Sequence, residues 1–96
     1  MISLALAATL TSVRGAHAYR VSVSGPVGSS VIVAAQPPPG WTATFCSARL
    51  CAVGHLPVTI AATGTSYVDV HLYSTDQPKH GVMFVSARGK TLRVSL

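Results

Sequence analysis

Three consecutive prolines, Pro37, Pro38 and Pro39, stand before Gly40 and the chain's only tryptophan, Trp41. Each proline fixes φ and lacks an amide donor, so this segment is excluded from helix and from the middle of a sheet. Gly40 frees the backbone to turn, and from there the residues alternate. Trp41, Ala43 and Phe45 point one way, Thr42 and Thr44 the other. A period of two in residues suited to a pleated surface predicts a half-buried strand. Trp41 and Phe45 are large enough to dominate a small core. Trp41 is read as a core anchor, with ligand stacking as the alternative.

Cys46 and Cys51 follow directly. A structural disulfide across a turn at the strand's end is expected, and its short loop stabilises by only about 2 kcal/mol. The spacing is wider than Cys-x-x-Cys and has no strand-to-helix context, which argues against redox catalysis. A redox or metal role is the alternative.

The rest of the chain continues the period. Residues 19–24 alternate Val21 and Val23 against Arg20, Ser22 and Ser24, and a Gly25-Pro26-Val27-Gly28 turn follows. Residues 30–35 carry Val31, Ile32 and Val33 in succession, which predicts a central strand covered on both faces. A short piece is expected at 50–53, closed by Gly54, and a strand at 58–62. In residues 66–73, Val68, Val70 and Leu72 face inward and Tyr67, Asp69, His71 and Tyr73 outward. After a polar loop at 74–81, residues 82–87 are apolar apart from Ser86. Arg88-Gly89-Lys90 reads as a tight hairpin, and residues 91–96 alternate to the end. About seven strands with regular turn signals, and no helical stripe, predict an all-β, immunoglobulin-like antiparallel β-sandwich. The cysteines lie too close in sequence to bridge two sheets in the antibody manner. The expected core is Trp41, Phe45, Val68, Val70, Leu72, Phe84 and Leu92.

Residues 2–13 are apolar or small, too short a run to span a bilayer as a helix. Ala16-His17-Ala18 fits the small-x-small rule for signal-peptide cleavage, so a leader over 1–18 and a domain over 19–96 are expected. No Lys or Arg precedes the apolar run. The alternatives are a truncated start and a first strand that belongs to the fold. Export would suit the disulfide and gives a secreted, periplasmic or otherwise extracytoplasmic location.

Pro38-Pro39-Gly40-Trp41, the Thr63-Gly64-Thr65-Ser66 turn before Tyr67-Val68-Asp69-Val70, and Gly81 opening Val82-Met83-Phe84-Val85 resemble bacterial extracytoplasmic immunoglobulin-like modules of the PPGW type. The likeness covers residues 29–96. It implies an accessory sandwich that accompanies enzymes or surface proteins and is seldom catalytic. The chain is expected to differ from such modules in standing alone.

Chemistry-bearing residues are few. Asp69 and Asp76 are the only acids against seven Lys or Arg, for a formal charge of +5. Asp69 and His71 share a strand face, but no nucleophile elbow or oxyanion loop accompanies the serines, so a hydrolase is disfavoured and no enzyme is expected. His55, His71, His80 and Met83 supply a second reading, an extracytoplasmic copper-binding sandwich. In the cupredoxins Cys, His and Met gather in one loop with a further His upstream. Here the upstream His is His17 and no Met closely follows His55. No cofactor is expected. Lys79, Arg88, Lys90 and Arg93 concentrate positive charge near the end of the sequence, a solubilising rim or a loose contact for anionic wall polymer or lipid head groups. Specific nucleic-acid reading is disfavoured. The expected role is a structural or protein-interaction module with an unidentified protein partner.

Overall fold

A computed structural model of the chain describes residues 2–13, 15–47, 50–74 and 81–95. Nine strands occur among them: β1 Ser3–Val13, β2 Ala16–Ser24, β3 Ser30–Gln36, β4 Thr42–Cys46, β5 Cys51–Val53, β6 His55–Thr59, β7 Thr65–Tyr73, β8 Val82–Ala87 and β9 Lys90–Ser95. One sheet runs β1-β2-β7-β4-β5 and the other β6-β3-β8-β9. Every ladder is antiparallel. The architecture is the immunoglobulin-like sandwich that the alternation predicts, and β1 is the strand that has no counterpart among the segments read from the sequence.

β7 makes the plan clear. It lies between β2 and β4, with Val68, Val70 and Leu72 buried and Tyr67 and Tyr73 exposed on the other face. Its inward residues meet Val21 of β2 and Phe45 of β4 by register, Val68 against Val21 and Val70 against Phe45. Leu56, Ile60, Met83, Val31, Val33 and Val85 complete the core from the second sheet and its margins. Burying each such side chain contributes roughly 1.5–3 kcal/mol, and these contributions hold the two sheets together.

The proline cluster turns as its residue types dictate. The Trp41 amide donates to the Pro38 carbonyl at 3.1 Å, and Gly40 has φ 87°. Proline at the second turn position and a left-handed glycine at the third are what a type II turn requires. β4 therefore begins at Thr42, one residue later than the alternation suggested, with Trp41 buried at the turn's exit. The chain leaves β5 for β6, and so changes sheet, at Gly54. Its amide donates to Ala43 in one sheet and its carbonyl accepts from Ala35 in the other.

Three expectations need correction. β3 is central in its sheet but covered on one face only: Val31 and Val33 are buried, while Ile32 is 61% exposed. In β8, Met83, Val85 and Ala87 point inward and Phe84 outward, so Phe84 leaves the expected core. The register with β9 sets this, placing Met83 opposite Val94 and Phe84 opposite Arg93. Leu92 is half-buried at the core's margin. The strand expected at 58–62 is β6, which ends at Thr59, and Ala62 lies exposed in the turn beyond it.

The segment read as a leader takes part in the sheet. β1 and β2 form a hairpin, and β2 pairs with β7 from Ala16 onward. Ile2, Ala18 and Tyr19 are buried, and the His17 ring lies 5.2 Å from that of Trp41. In this structure residues 3–13 are a first strand of the fold, one of the alternatives left open above.

Candidate functional site

The larger sheet presents an outer face on which one row crosses all five strands. Ala8 of β1 pairs with Arg20, Arg20 with Asp69, Asp69 with Cys46 and Cys46 with Cys51. The two cysteines are bonded, with their Cα atoms 4.1 Å apart, and the bridge pins the short edge strand β5 to β4. The disulfide falls where the sequence placed it.

Asp69 is held by the other neighbour in this row. Arg20 Nε donates to Oδ1 at 2.9 Å and Arg20 Nη2 to Oδ2 at 3.3 Å, a two-pronged pair across strands. The bond to this carboxylate, then its charge, holds the guanidinium above its ordinary value. Asp69 and His71 share the outer face as expected, but the carboxylate is engaged by arginine. His71 lies beside Tyr73, the rings nearly parallel with centroids 6.5 Å apart. Ala7, Arg20, Cys46, Ser47, Tyr67 and Asp69 are among the residues lining an open hollow of about 520 Å³. It holds an acid and a serine without His71 in its lining, so the residues of the hydrolase alternative are not joined there.

The copper alternative loses its geometry. Met83 is fully buried in the core, His55 is exposed on edge strand β6, and His71 lies on the outer face of the opposite sheet. His80 lies outside the described residues. Among the described residues no group of three or more His, Cys, Asp or Glu is placed to hold a metal ion.

Of the basic residues, Arg88 and Lys90 sit at the tip of the β8–β9 hairpin, and Arg93 is exposed along β9. Arg88 has φ 46° and Gly89 φ 78°, the two left-handed residues of a type I′ turn. Arg88 Nη2 also donates to the Ser30 carbonyl at 2.9 Å, which ties the tip to β3. Lys79 lies outside the described residues.

The feature that sequence reading missed is an edge. Each sheet ends in two edge strands, and three of these four carry protection. β5 has three residues, β6 contains Pro57, and β9 carries Lys90 and Arg93. Short length, proline and charge are the usual devices against chance pairing. β1 has none of these three, and the bulges in its pairing with β2 are its one such device. It is eleven residues long, has no charged side chain and no proline, and leaves Leu6 44% and Leu10 42% exposed. Shifts in its register with β2 fall between Leu6 and Ala8 and between Thr9 and Thr11, which leaves Ala7 and Leu10 outside the ladder. The missed signal was the absence of charge from residues 2–13, which also suits a leader.

Fold and site together define an antiparallel β-sandwich with a hairpin disulfide and one long uncharged edge. Comparison with family models, with characterised proteins and with solved structures finds no match.

Proposed function

We propose that this chain is an exported, non-catalytic interaction module that recruits an extended protein segment along β1. The observation that carries this reading is the edge itself. An exposed, uncharged strand of eleven residues offers a row of backbone donors and acceptors to an incoming strand. The Cys46–Cys51 bond supports a place in an oxidising, extracytoplasmic compartment, because disulfides persist there and are rare in the cytosol. The resemblance of Pro38-Pro39-Gly40-Trp41 to accessory sandwich modules supports the absence of catalysis.

On this reading residues 3–13 stay with the domain. Their loss would uncover the edge of β2, and removing 1–18 would take Ile2 from the core and the His17 ring from beside Trp41. The tip cations Arg88 and Lys90, with Arg93, give a loose, salt-sensitive contact with anionic wall polymer or lipid head groups.

The test is addition of extended peptides with alternating apolar residues, read by protection of β1 amides in hydrogen exchange. Protection of residues 3–13, lost in Leu6→Lys with the rest of the exchange pattern unchanged, supports strand addition. Protection confined to β6 or β9, or none with any peptide, contradicts it.

A further inference from the structure

A second hollow, of about 730 Å³, adjoins the one lined by Arg20 and Asp69, and the two share Ser47 and Tyr67 in their linings. Together they form a trough. It starts at Ala7 and Ala8 of β1, crosses Arg20 and Asp69, and continues past Tyr67 to Leu50 and Thr65. The first hollow alone spans β1 to β4, three strand spacings or about 14 Å. From this trough, and independently of the β1 edge, we infer a binding site for a neutral polysaccharide, a chain of pyranose rings whose hydroxyls are equatorial.

Charge selects the class of ligand. Among the described residues lining both hollows, Arg20 and Asp69 are the only charged ones. They neutralise each other at 2.9 Å, in a chain whose formal charge is +5. A polyanion would have to displace the carboxylate from Arg20, whereas a neutral ligand leaves the pair intact. The pair still offers hydrogen bonds. Asp69 engages Nε and one Nη2 hydrogen of Arg20, and the guanidinium's other N–H groups stand beside the carboxylate's remaining lone pairs. Neighbouring sugar hydroxyls, each donor and acceptor at once, match that arrangement.

Tyr67 supplies the apolar contact. It is 57% exposed where the two hollows meet. The C–H face of a pyranose packs on such a ring while the phenol hydroxyl stays in water. Ala7 and Ala8 keep the trough open on the β1 side, because the register shift there bulges the strand and sets the small Ala8 opposite Arg20. The lining is also fixed before a ligand arrives. The disulfide holds β5 to β4, and the Ser47 amide donates to the Leu50 carbonyl at 2.8 Å. Ser66 Oγ accepts from the Ala61 amide at 2.9 Å and donates to the Thr59 carbonyl at 2.8 Å, which ties β7 to the end of β6. Preorganisation of this kind lowers the entropic cost of binding.

The experiment is isothermal titration of the full-length oxidised chain with cellohexaose and with chitohexaose. At least one binds, with the same affinity at low and high sodium chloride, because no ion pair forms with the ligand. Tyr67→Ala weakens binding about tenfold, and Tyr67→Phe keeps it. Ala8→Tyr fills the trough from β1 without removing a polar group and also weakens binding. Tyr73→Ala, on the same outer face but outside both linings, leaves it unchanged. Each variant keeps the far-ultraviolet circular dichroism of the wild type, so a loss is not misfolding. Failure of both hexasaccharides to bind, or equal binding by the wild type and Tyr67→Ala, overturns the inference. So does binding confined to polygalacturonate or single-stranded DNA and abolished by salt, which assigns the trough to polyanions.

Discussion

Phe45 and Phe84 are the chain's two phenylalanines, and the ladder registers place them on opposite sides of their sheets. Phe45 is fully buried against β7, whereas Phe84 is 41% exposed between Gln36 and Arg93. Phe45→Ala is therefore expected to cost about 3–5 kcal/mol, a large part of a small domain's stability. Phe84→Ala should cost about 1 kcal/mol or less. Urea unfolding of both variants checks this, and equal losses would contradict the β8 register. Tyr19 gives a second prediction at this scale. Burial raises its phenol above the ordinary value of 10.0. Above about pH 10 the unfolded chain gives up this proton before the folded one, so the folded state binds more protons and stability falls as pH rises. Thermal melts between pH 8 and 11 should show that loss, reduced in Tyr19→Phe. Residue placement was legible where apolar and polar residues alternate, as in Val68, Val70 and Leu72 against Tyr67 and Tyr73. It was illegible inside unbroken apolar runs. Val31-Ile32-Val33 and Val82 to Val85 carry no period, so only the neighbouring strand's register decides which residue faces solvent.

The β8–β9 and β4–β5 hairpins show how local chemistry fixes the elements. Gly89 has φ 78°, and a Cβ added there would meet nothing within 4 Å. Gly89→Ala therefore tests backbone strain alone, with an expected cost of about 1–2 kcal/mol from the left-handed conformation. A calorimetric change near zero would mean the turn is not type I′. The β4–β5 hairpin depends on its bridge. Replacing Cys46 and Cys51 together by Ser should remove about 2 kcal/mol, a fall of roughly 10 °C in Tm for a domain of this size. Turns and the disulfide were readable because proline, glycine and close cysteines act locally. β1 was not, because an uncharged run of small and apolar residues satisfies both a leader and a strand. β2's pairing with β7 from Ala16 onward, which anchors the β1–β2 hairpin in the sheet, is a long-range fact absent from any local window.

At the scale of the molecule, a sandwich of two sheets leaves four edges, and this chain protects three by shortness, proline or charge and the fourth by bulges alone. The candidate catalytic and metal residues are dispersed by the same architecture: period-two strands send Asp69 and His71 outward and Met83 inward, so no strand order gathers them. What the fold concentrates instead is a row of backbone donors and acceptors on one uncharged edge, held on a framework stapled by one disulfide. The most direct test is intact mass of protein recovered from an exporting host, alkylated before and after reduction. The account predicts a chain that retains residues 3–13 and takes up no alkylating agent until reduction, then two equivalents. A chain beginning at Tyr19 would remove β1 and with it the proposed partner site, and two free thiols before reduction would place the protein in a reducing compartment and contradict the stapled sandwich.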